Sequence, residues 1–147
     1  MCTEIEAKLK VESLEKIKHR LTKLGAEFLQ EQLQTDYHFD DANRTLQKTD
    51  RCLRIRRQLS NRTEQFFLTY KGPKEKSRLK KRQEIEIKIE DADSTEKLLS
   101  ALGYEKVLTI EKKRWLWQLD ECEVALDELP LLGEFVEIEG PDEEKIT

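Results

Sequence analysis

Residues 2–11 read Cys2-Thr3-Glu4-Ile5-Glu6-Ala7-Lys8-Leu9-Lys10-Val11, and they alternate strictly. Glu4, Glu6, Lys8 and Lys10 share one face, while Ile5, Ala7, Leu9 and Val11 share the other. A period of two defines a strand. Working outward, Ser13 is placed to cap a helix. Leu14, Ile17, Leu21, Leu24 and Phe28 follow at helical spacing, with Gly25 at the C′ position. Strands are expected at about 31–41, 51–58 and 63–72, separated by Asp40-Asp41-Ala42-Asn43, Ser60-Asn61 and Gly72-Pro73. A further strand at about 79–90 carries Arg82, Glu84, Glu86 and Lys88 on one face and Ile85, Ile87 and Ile89 on the other. A second helix fits 94–102, with Asp93 or Ser94 as cap, Leu98, Leu99 and Leu102 buried, and Gly103 just beyond. Strands at about 105–119, 121–128 and 133–140 complete the pattern.

The opening motif has an echo. Glu4-Ile5-Glu6-Ala7-Lys8 recurs as Glu84-Ile85-Glu86-Ile87-Lys88, and each precedes a helix ending in Leu-Gly, Leu24-Gly25 and Leu102-Gly103. This fits two similar halves, each a strand and a helix continuing in strands. Chance recurrence in a Glu-rich chain is the competing explanation.

Length and composition bound the rest. The chain has 147 residues, 37% hydrophobic and 39% charged, with net charge −4 and a pI near 5.4. That suits one domain, residues 1–147, and does not favour general nucleic-acid binding. Cys2, Cys52 and Cys122 are far apart, with no CxxC or Cys/His metal spacing, which points to free thiols in a reducing cytoplasm. No apolar run is long enough to span a bilayer as a helix.

The polar strand faces are unusual. Charges occupy successive same-face positions at Glu4/Glu6/Lys8, Arg54/Arg56, Arg82/Glu84/Glu86, Lys112/Arg114 and Glu137/Glu139. The opposite faces hold Ile5, Leu53, Ile55, Ile85, Ile87, Val136 and Ile138. One explanation is a sheet with a single wet face, its charges paired across strands. The other closes the sheet with charges inside and helices over the apolar face. Ions inside such a sheet must stay wet, pair, or bind a charged ligand, because desolvating each costs on the order of several kcal/mol. Clustered Lys and Arg imply an anion, and clustered Glu a cation, so together they suggest an anion bound as its metal complex. Arg forks and Lys suit phosphate, and carboxylates suit Mg²⁺ or Mn²⁺. Two Glu at i and i+2 project the same way from Cα atoms roughly 6.5–7 Å apart.

With those residues in place, the chain resembles the CYTH family of triphosphate tunnel metalloenzymes, which includes class IV adenylate cyclases, thiamine triphosphatases and inorganic triphosphatases. Glu4-x-Glu6-x-Lys8 matches its E-x-E-x-K signature. Gln34-x-Asp36, Leu53-Arg54-Ile55-Arg56, Thr69-Tyr70-Lys71-Gly72-Pro73, Arg82-x-Glu84, Lys112-x-Arg114, Leu126-Asp127 and Leu132-Gly133-Glu134-Phe135-Val136-Glu137-Ile138-Glu139 follow in the family's order. The resemblance implies an α+β fold: a closed eight-stranded antiparallel β-barrel, the triphosphate tunnel, with helices packed outside. It implies Mg²⁺ or Mn²⁺ held by Glu4, Glu6, Asp127, Glu137 and Glu139. It implies phosphates held by Lys8, Arg54, Arg56, Lys71, Arg82, Lys112 and Arg114. Glu84 and Glu86 would support, holding a metal-bound water or positioning Arg82. Family members often continue past the last Glu-x-Glu strand into a helix; here Pro141 to Thr147 looks like a helix start, so either the C-terminal helix is truncated or the tunnel is less covered at one end. His38 stands where an aromatic such as Tyr follows Gln-x-Asp.

Other features read as structural. His19 and His38 are expected on the surface or in packing, and Trp115 and Trp117 under a helix. Cys52 shares a face with Arg54 but has no partner His in the sequence pattern. The run from Lys74 to Arg82 has six basic residues; its first part, with Glu75 and Ser77, reads as a solvated loop, with recruitment of a polyanionic substrate to the tunnel mouth as the other reading. The leading expectation is a metal-dependent phosphohydrolase for an organic or inorganic triphosphate such as thiamine triphosphate, tripolyphosphate or a nucleoside triphosphate, with Lys71 as a catalytic candidate. The alternative is a class IV-type adenylate cyclase forming cyclic AMP and pyrophosphate. A non-catalytic polyphosphate- or nucleotide-binding module is the third, and both Glu-x-Glu pairs argue against it. The expected partner is a small-molecule triphosphate, without nucleic acid or membrane, and a homodimer is left open.

Overall fold

The protein is described by a computed structural model covering residues 2–75, 80–130 and 132–140, with the side chains of 2–8, 80 and 81 outside the description. The expected helix start at 141–147 and positions 76–79 of the basic run lie outside the described residues. The elements are β1 (Cys2–Val11), α1 (Leu14–Lys23), β2 (Glu27–Asp40), α2 (Thr45–Lys48), β3 (Cys52–Ser60), β4 (Thr63–Lys71), β5 (Lys80–Ile89), α3 (Ala92–Ala101), β6 (Glu105–Leu119), β7 (Cys122–Leu129) and β8 (Gly133–Glu139). No helix among the described residues is long and apolar enough to cross a membrane.

Every strand pairing is antiparallel, and the spatial order is β1-β5-β4-β3-β2-β6-β7-β8. The sheet curls until β1 reaches both β5 and β8. It pairs with β5 along Cys2–Glu6 and with β8 along Glu6–Val11. β1 is thus the strand that pairs with both ends of this order, each pairing using about half its length.

Apolar strand faces lie outside the curl, under helices. Leu14 and Leu21 of α1 pack on Val124, Leu126 and Val136, flanked by Trp115, Trp117 and Ile138 of β6 and β8. Leu99 of α3 packs on Phe39 and Ile55, flanked by Leu53, Phe66, Leu68 and Ile89. Each helix therefore covers strands from the other half of the chain: α1 lies on β6–β8, and α3 on β2–β5. Fully burying a large apolar side chain stabilises by roughly 1.5–3 kcal/mol, so this crossed packing ties the two halves together. The two halves share the order strand, helix, three strands, apart from the short α2.

Local details depart from the sequence expectations. Ser13 makes no side-chain cap; the first free amide of α1, at Leu14, donates instead to Glu134 Oε2 at 3.3 Å. Asp91, not Asp93 or Ser94, caps α3, accepting from Ser94 N at 2.9 Å and Ser94 Oγ at 2.7 Å. Leu98 and Leu102 are exposed, and only Leu99 of that trio is buried. Ile85, expected under cover, is also exposed, because neither helix reaches its part of β5. The expected turn at 40–43 grows into α2. Asp40 accepts from the amides of Asp41, Leu46 and Gln47, and Asp41 from those of Asn43 and Thr45, while Leu46 is buried beneath.

Candidate active site

Inside the curl lies a cavity of about 420 Å³ lined by alternate residues of the strands. β2 contributes Gln32, Gln34, Asp36 and His38, β3 contributes Cys52, Arg54, Arg56 and Gln58, and β4 ends in Lys71. β5 adds Arg82, Glu84 and Glu86; β6 adds Lys112 and Arg114; β7 adds Glu123; β8 adds Glu137 and Glu139. The period of two that aims these side chains inward aims Ile55, Leu126 and Val136 outward into the core. Of the expected phosphate ligands, Arg54, Arg56, Lys71, Arg82, Lys112 and Arg114 are thus brought to one space. The side chains of Glu4, Glu6 and Lys8 are outside the description, but register sets Glu4 opposite Arg82, Glu6 opposite Glu139 and Lys8 opposite Glu137.

Two buried ion pairs organise the wall. Arg56 Nε and Nη2 donate to the two oxygens of Asp36 at 2.6 and 2.8 Å across β2 and β3. Arg114 Nε and Nη2 donate in the same way to Asp127 at 2.7 and 2.8 Å across β6 and β7. Both are directly opposed positions, Asp36↔Arg56 and Arg114↔Asp127. The polarity is reversed between the halves, since the acid stands on the earlier strand in one and on the later strand in the other. Arg54 approaches Asp36 at 4.0 Å, and Lys112 approaches Asp127 at 3.8 Å.

The charges shift one another. Burial alone would raise the Asp36 carboxyl. The hydrogen bond from Arg56 and the charges of Arg56, Arg54 and Lys112 together outweigh it and hold that carboxyl well below the usual range. Burial pushes Lys112 down to about 7, helped by the neighbouring cations Arg114 and Arg56 and opposed by Asp127 and Asp36. Burial likewise lowers Arg54, reinforced by Arg56. Arg114 goes the other way: burial would lower it, but Asp127, Glu137 and Glu139 raise it. A cluster of partly compensated cations is primed for an anion.

Three contacts go beyond the sequence expectations. Asp127, expected at the metal, is fully buried and both its oxygens accept from Arg114, so it also orients that arginine. Arg82 is not positioned by Glu84 or Glu86: its Nε donates to the carbonyl of Gly72 at 2.8 Å and its Nη2 to that of Asp50 at 3.2 Å. Glu86 accepts instead from Thr69 Oγ1 at 2.9 Å. Cys52 does have a histidine beside it: its Sγ lies 3.5 Å from His38 Nδ1, because the two strands bring these residues to the same end of the cavity. Burial lowers the His38 imidazole, with Arg54, Arg56 and Lys112 assisting against Asp36.

The sequence reading left out Asp36 as a site residue, along with Gln32, Gln34, Gln58 and Glu123. Asp36 was visible as part of Gln34-x-Asp36, but its pairing with Arg56 needs the β2–β3 register. Glu123 is Asp127's neighbour at i−4 on the same strand face and stands opposite Glu139.

The oxygen donors suit a hard divalent cation. Glu137 and Glu139 line the cavity on one strand face, and register places Glu6 beside Glu139 on β1 and Glu123 beside it on β7. Among the described residues no three acids already converge on one point. Glu137 also accepts from Arg114 Nη2 at 3.3 Å, which links the acidic side of the cavity to the basic one.

Comparisons with known proteins agree with this architecture. A protein of Methanocaldococcus jannaschii named "Putative adenylate cyclase MJ0240" is 38% identical over 136 residues, 92% of this chain and 75% of that protein. The structure of PH1819 from Pyrococcus horikoshii OT3 is 35% identical with a TM-score of 0.86, covering 97% of this chain and 81% of that one. HpAC1 from Hippeastrum, a structure reported with a dominant triphosphatase activity, shares the fold at 20% identity and a TM-score of 0.72, covering 97% and 82%. The family model described as CYTH domain matches residues 3–146, nearly the whole sequence, and the chain belongs to that family.

Proposed function

We infer that the protein is a metal-dependent phosphohydrolase acting on a triphosphate inside a closed strand tunnel. The observation that carries this reading is the convergence of Arg54, Arg56, Lys71, Arg82, Lys112 and Arg114 on one cavity that also holds Glu137 and Glu139. The same lining carries six carboxylates, Asp36, Glu84, Glu86, Glu123, Glu137 and Glu139, so it suits an anion bound as its metal complex; a triphosphate brings about four negative charges, two of which a divalent ion can offset. Membership of the CYTH family supports divalent-metal chemistry in the same place.

In this reading Glu137 and Glu139, with Glu4 and Glu6 of β1, hold Mg²⁺ or Mn²⁺. Bound there, the metal supplies charge neutralisation and a lowered pKa for water. The chain's own residues do the rest. Arg56 and Arg114, locked by Asp36 and Asp127, offer fixed guanidinium faces to phosphate oxygens and stabilise charge that builds in the transition state. In this reading Lys8 and Lys71 act as point charges for the same anion, and Lys71 offsets charge on the leaving group. Glu84 and Glu86, which line the cavity from β5 between β1 and β4, order water.

A second reading, adenylate cyclisation, is favoured by the name of the M. jannaschii relative. It uses the same phosphate and metal groups but releases pyrophosphate and cyclic AMP. One assay separates them. With Mg²⁺ or Mn²⁺ and ATP, thiamine triphosphate or tripolyphosphate, hydrolysis yields orthophosphate from at least one substrate. Cyclic AMP with stoichiometric pyrophosphate from ATP would instead establish the cyclase. Absence of either product across the panel would overturn both.

A further inference from the structure

Cys52 and His38 stand where two cavities meet. Both line the central cavity, and both also line a second cavity of about 480 Å³ beside α2, together with Arg44, Arg51 and Arg82. The half-buried Cys52 thiol is therefore within reach of a reagent from either side. Its sulfur lies 3.5 Å from His38 Nδ1, so with the ring proton on Nε2 the imidazole accepts from the thiol.

The surroundings are cationic. Lys71 stands opposite Cys52 across β3 and β4, and Arg54 follows two positions on along the same face. Among the described residues, Arg54 Nε has no hydrogen-bond partner and Arg54 Nη1 comes only within 4.0 Å of Asp36. In the second cavity three arginines face two aspartates, and both aspartates are engaged. Asp40 accepts from the amides of Asp41, Leu46 and Gln47, and Asp50 from Lys74 Nζ at 2.7 Å. The arginines bond neutral oxygens instead: Arg51 donates to Thr49 Oγ1, and Arg82 to the carbonyls of Gly72 and Asp50. Their charge is left for an anion. A partly exposed thiol in an electropositive pocket with a base beside it is of the reactive kind, whereas a thiol in an apolar core is inert. Cys122, buried in the core, is the inert counterpart in the same chain.

We propose that Cys52 is a site of reversible thiol–disulfide exchange with carboxylate-bearing disulfides, and that the mixed disulfide closes the cavity to triphosphate. His38 Nδ1 takes the thiol proton as the Cys52 sulfur attacks one sulfur of the disulfide. The new S–S bond forms as the old one breaks, and the departing thiolate leaves with the electron pair and takes up the proton. Cys52 is oxidised and the departing half is reduced, so the disulfide is the only oxidant needed. The exchange stands on the geometry alone, whereas the blockade rests on the triphosphate reading above.

The test treats the protein with glutathione disulfide, which is anionic, or with cystamine, which is dicationic. Peptide mass spectrometry follows the adducts at Cys52 and Cys122, and the urea-unfolded chain gives the intrinsic rate of each reagent. Relative to that reference, Cys52 in the folded protein is expected to react about tenfold faster with glutathione disulfide than with cystamine, the lower end of steering by a charged cleft. The double variant Arg44→Gln/Arg51→Gln is expected to lose most of that preference, and Cys122 to stay unmodified. The glutathione adduct is expected to abolish the rise in melting temperature given by tripolyphosphate with Mg²⁺, and dithiothreitol to restore it. No adduct at Cys52, or no preference for the anionic reagent, would overturn the proposal. Should the double variant not fold, the comparison of the two reagents on the wild type decides alone. An adduct that leaves the tripolyphosphate response intact overturns the blockade. An adduct on a protein that never responds to tripolyphosphate upholds the exchange site and removes the triphosphate reading, with the blockade that rests on it.

Discussion

Arg114 on β6 and Asp127 on β7 stand directly opposite each other and are joined by two hydrogen bonds of 2.7 and 2.8 Å, with Asp127 wholly excluded from solvent. A bidentate pair of this kind fixes the plane of the guanidinium. Truncating either partner leaves the other buried charge with only its longer contact, Asp127 with Lys112 or Arg114 with Glu137, at a cost of about 3–5 kcal/mol. Asp127→Ala and Arg114→Met are each expected to destabilise on that scale in urea unfolding. The double variant Arg114→Met/Asp127→Leu is expected to cost clearly less than the sum. Additive losses would show that the two side chains do not act as a unit.

The matching pair on the other half predicts acid behaviour. The Asp36 carboxyl is held below its ordinary value of 3.8, so the folded state releases its proton more readily than the unfolded chain. Its contribution is fully present above that ordinary value and is lost as pH falls through the folded-state pKa. The stability difference between wild type and Asp36→Asn is therefore constant near neutrality and shrinks below about pH 4. Urea titrations at pH 7, 4 and 3 check this.

Lys112 has the opposite sign. Its folded-state pKa is lowered to about 7 from 10.5, so between those values the unfolded chain binds more protons. The cost of burying its charge is present below about 7 and is relieved as pH rises towards 10.5, so stability contributed here rises with pH across that window. Lys112→Met is expected to raise the melting temperature at pH 7 and to flatten its rise between pH 7 and 9. A bound polyanion favours the protonated amine. Tripolyphosphate affinity is accordingly expected to fall from pH 7 to 9 in the wild type and to fall less in Lys112→Met.

Turnover tests the division of labour. Glu137→Gln is expected to abolish metal-dependent hydrolysis while the protein stays folded, since its carboxylate lines the cavity and, among the described residues, accepts one long bond from Arg114. Arg56→Ala is expected to lose about 10²–10³ in kcat, the scale for one fixed electrostatic stabiliser. Tripolyphosphate with Mg²⁺ or Mn²⁺ is expected to raise the wild-type melting temperature more than either alone, equivalent to about 2.7 kcal/mol at a hundredfold excess over Kd. An active Glu137→Gln enzyme would refute the metal assignment.

Cys52 offers a chemical readout of occupancy. It lines the cavity and is half-buried beside His38, whereas Cys122 is buried in the core. Iodoacetamide is expected to label Cys52 faster than Cys122, and tripolyphosphate with Mg²⁺ to slow labelling of Cys52. Peptide mass spectrometry measures both rates. Unchanged Cys52 labelling at saturating ligand would place the anion elsewhere.

Strict alternation, as in Glu4-Ile5-Glu6-Ala7-Lys8 and Leu53-Arg54-Ile55-Arg56, was enough to show strands with one charged and one apolar face, because side-chain direction in a strand depends only on parity. Helix ends at Gly25 and Gly103 were likewise local, set by positive φ at each. Pairing is not local. That Asp127 holds Arg114, that Asp36 locks Arg56, and that His38 meets Cys52 all follow from the register of strands far apart in sequence. The crossed cover of α1 on β6–β8 and α3 on β2–β5 is also tertiary: each helix has an apolar stripe, but which strands it covers depends on how the sheet curls. The same physics left Leu98, Leu102 and Ile85 exposed, since an apolar face is buried only where another element reaches it.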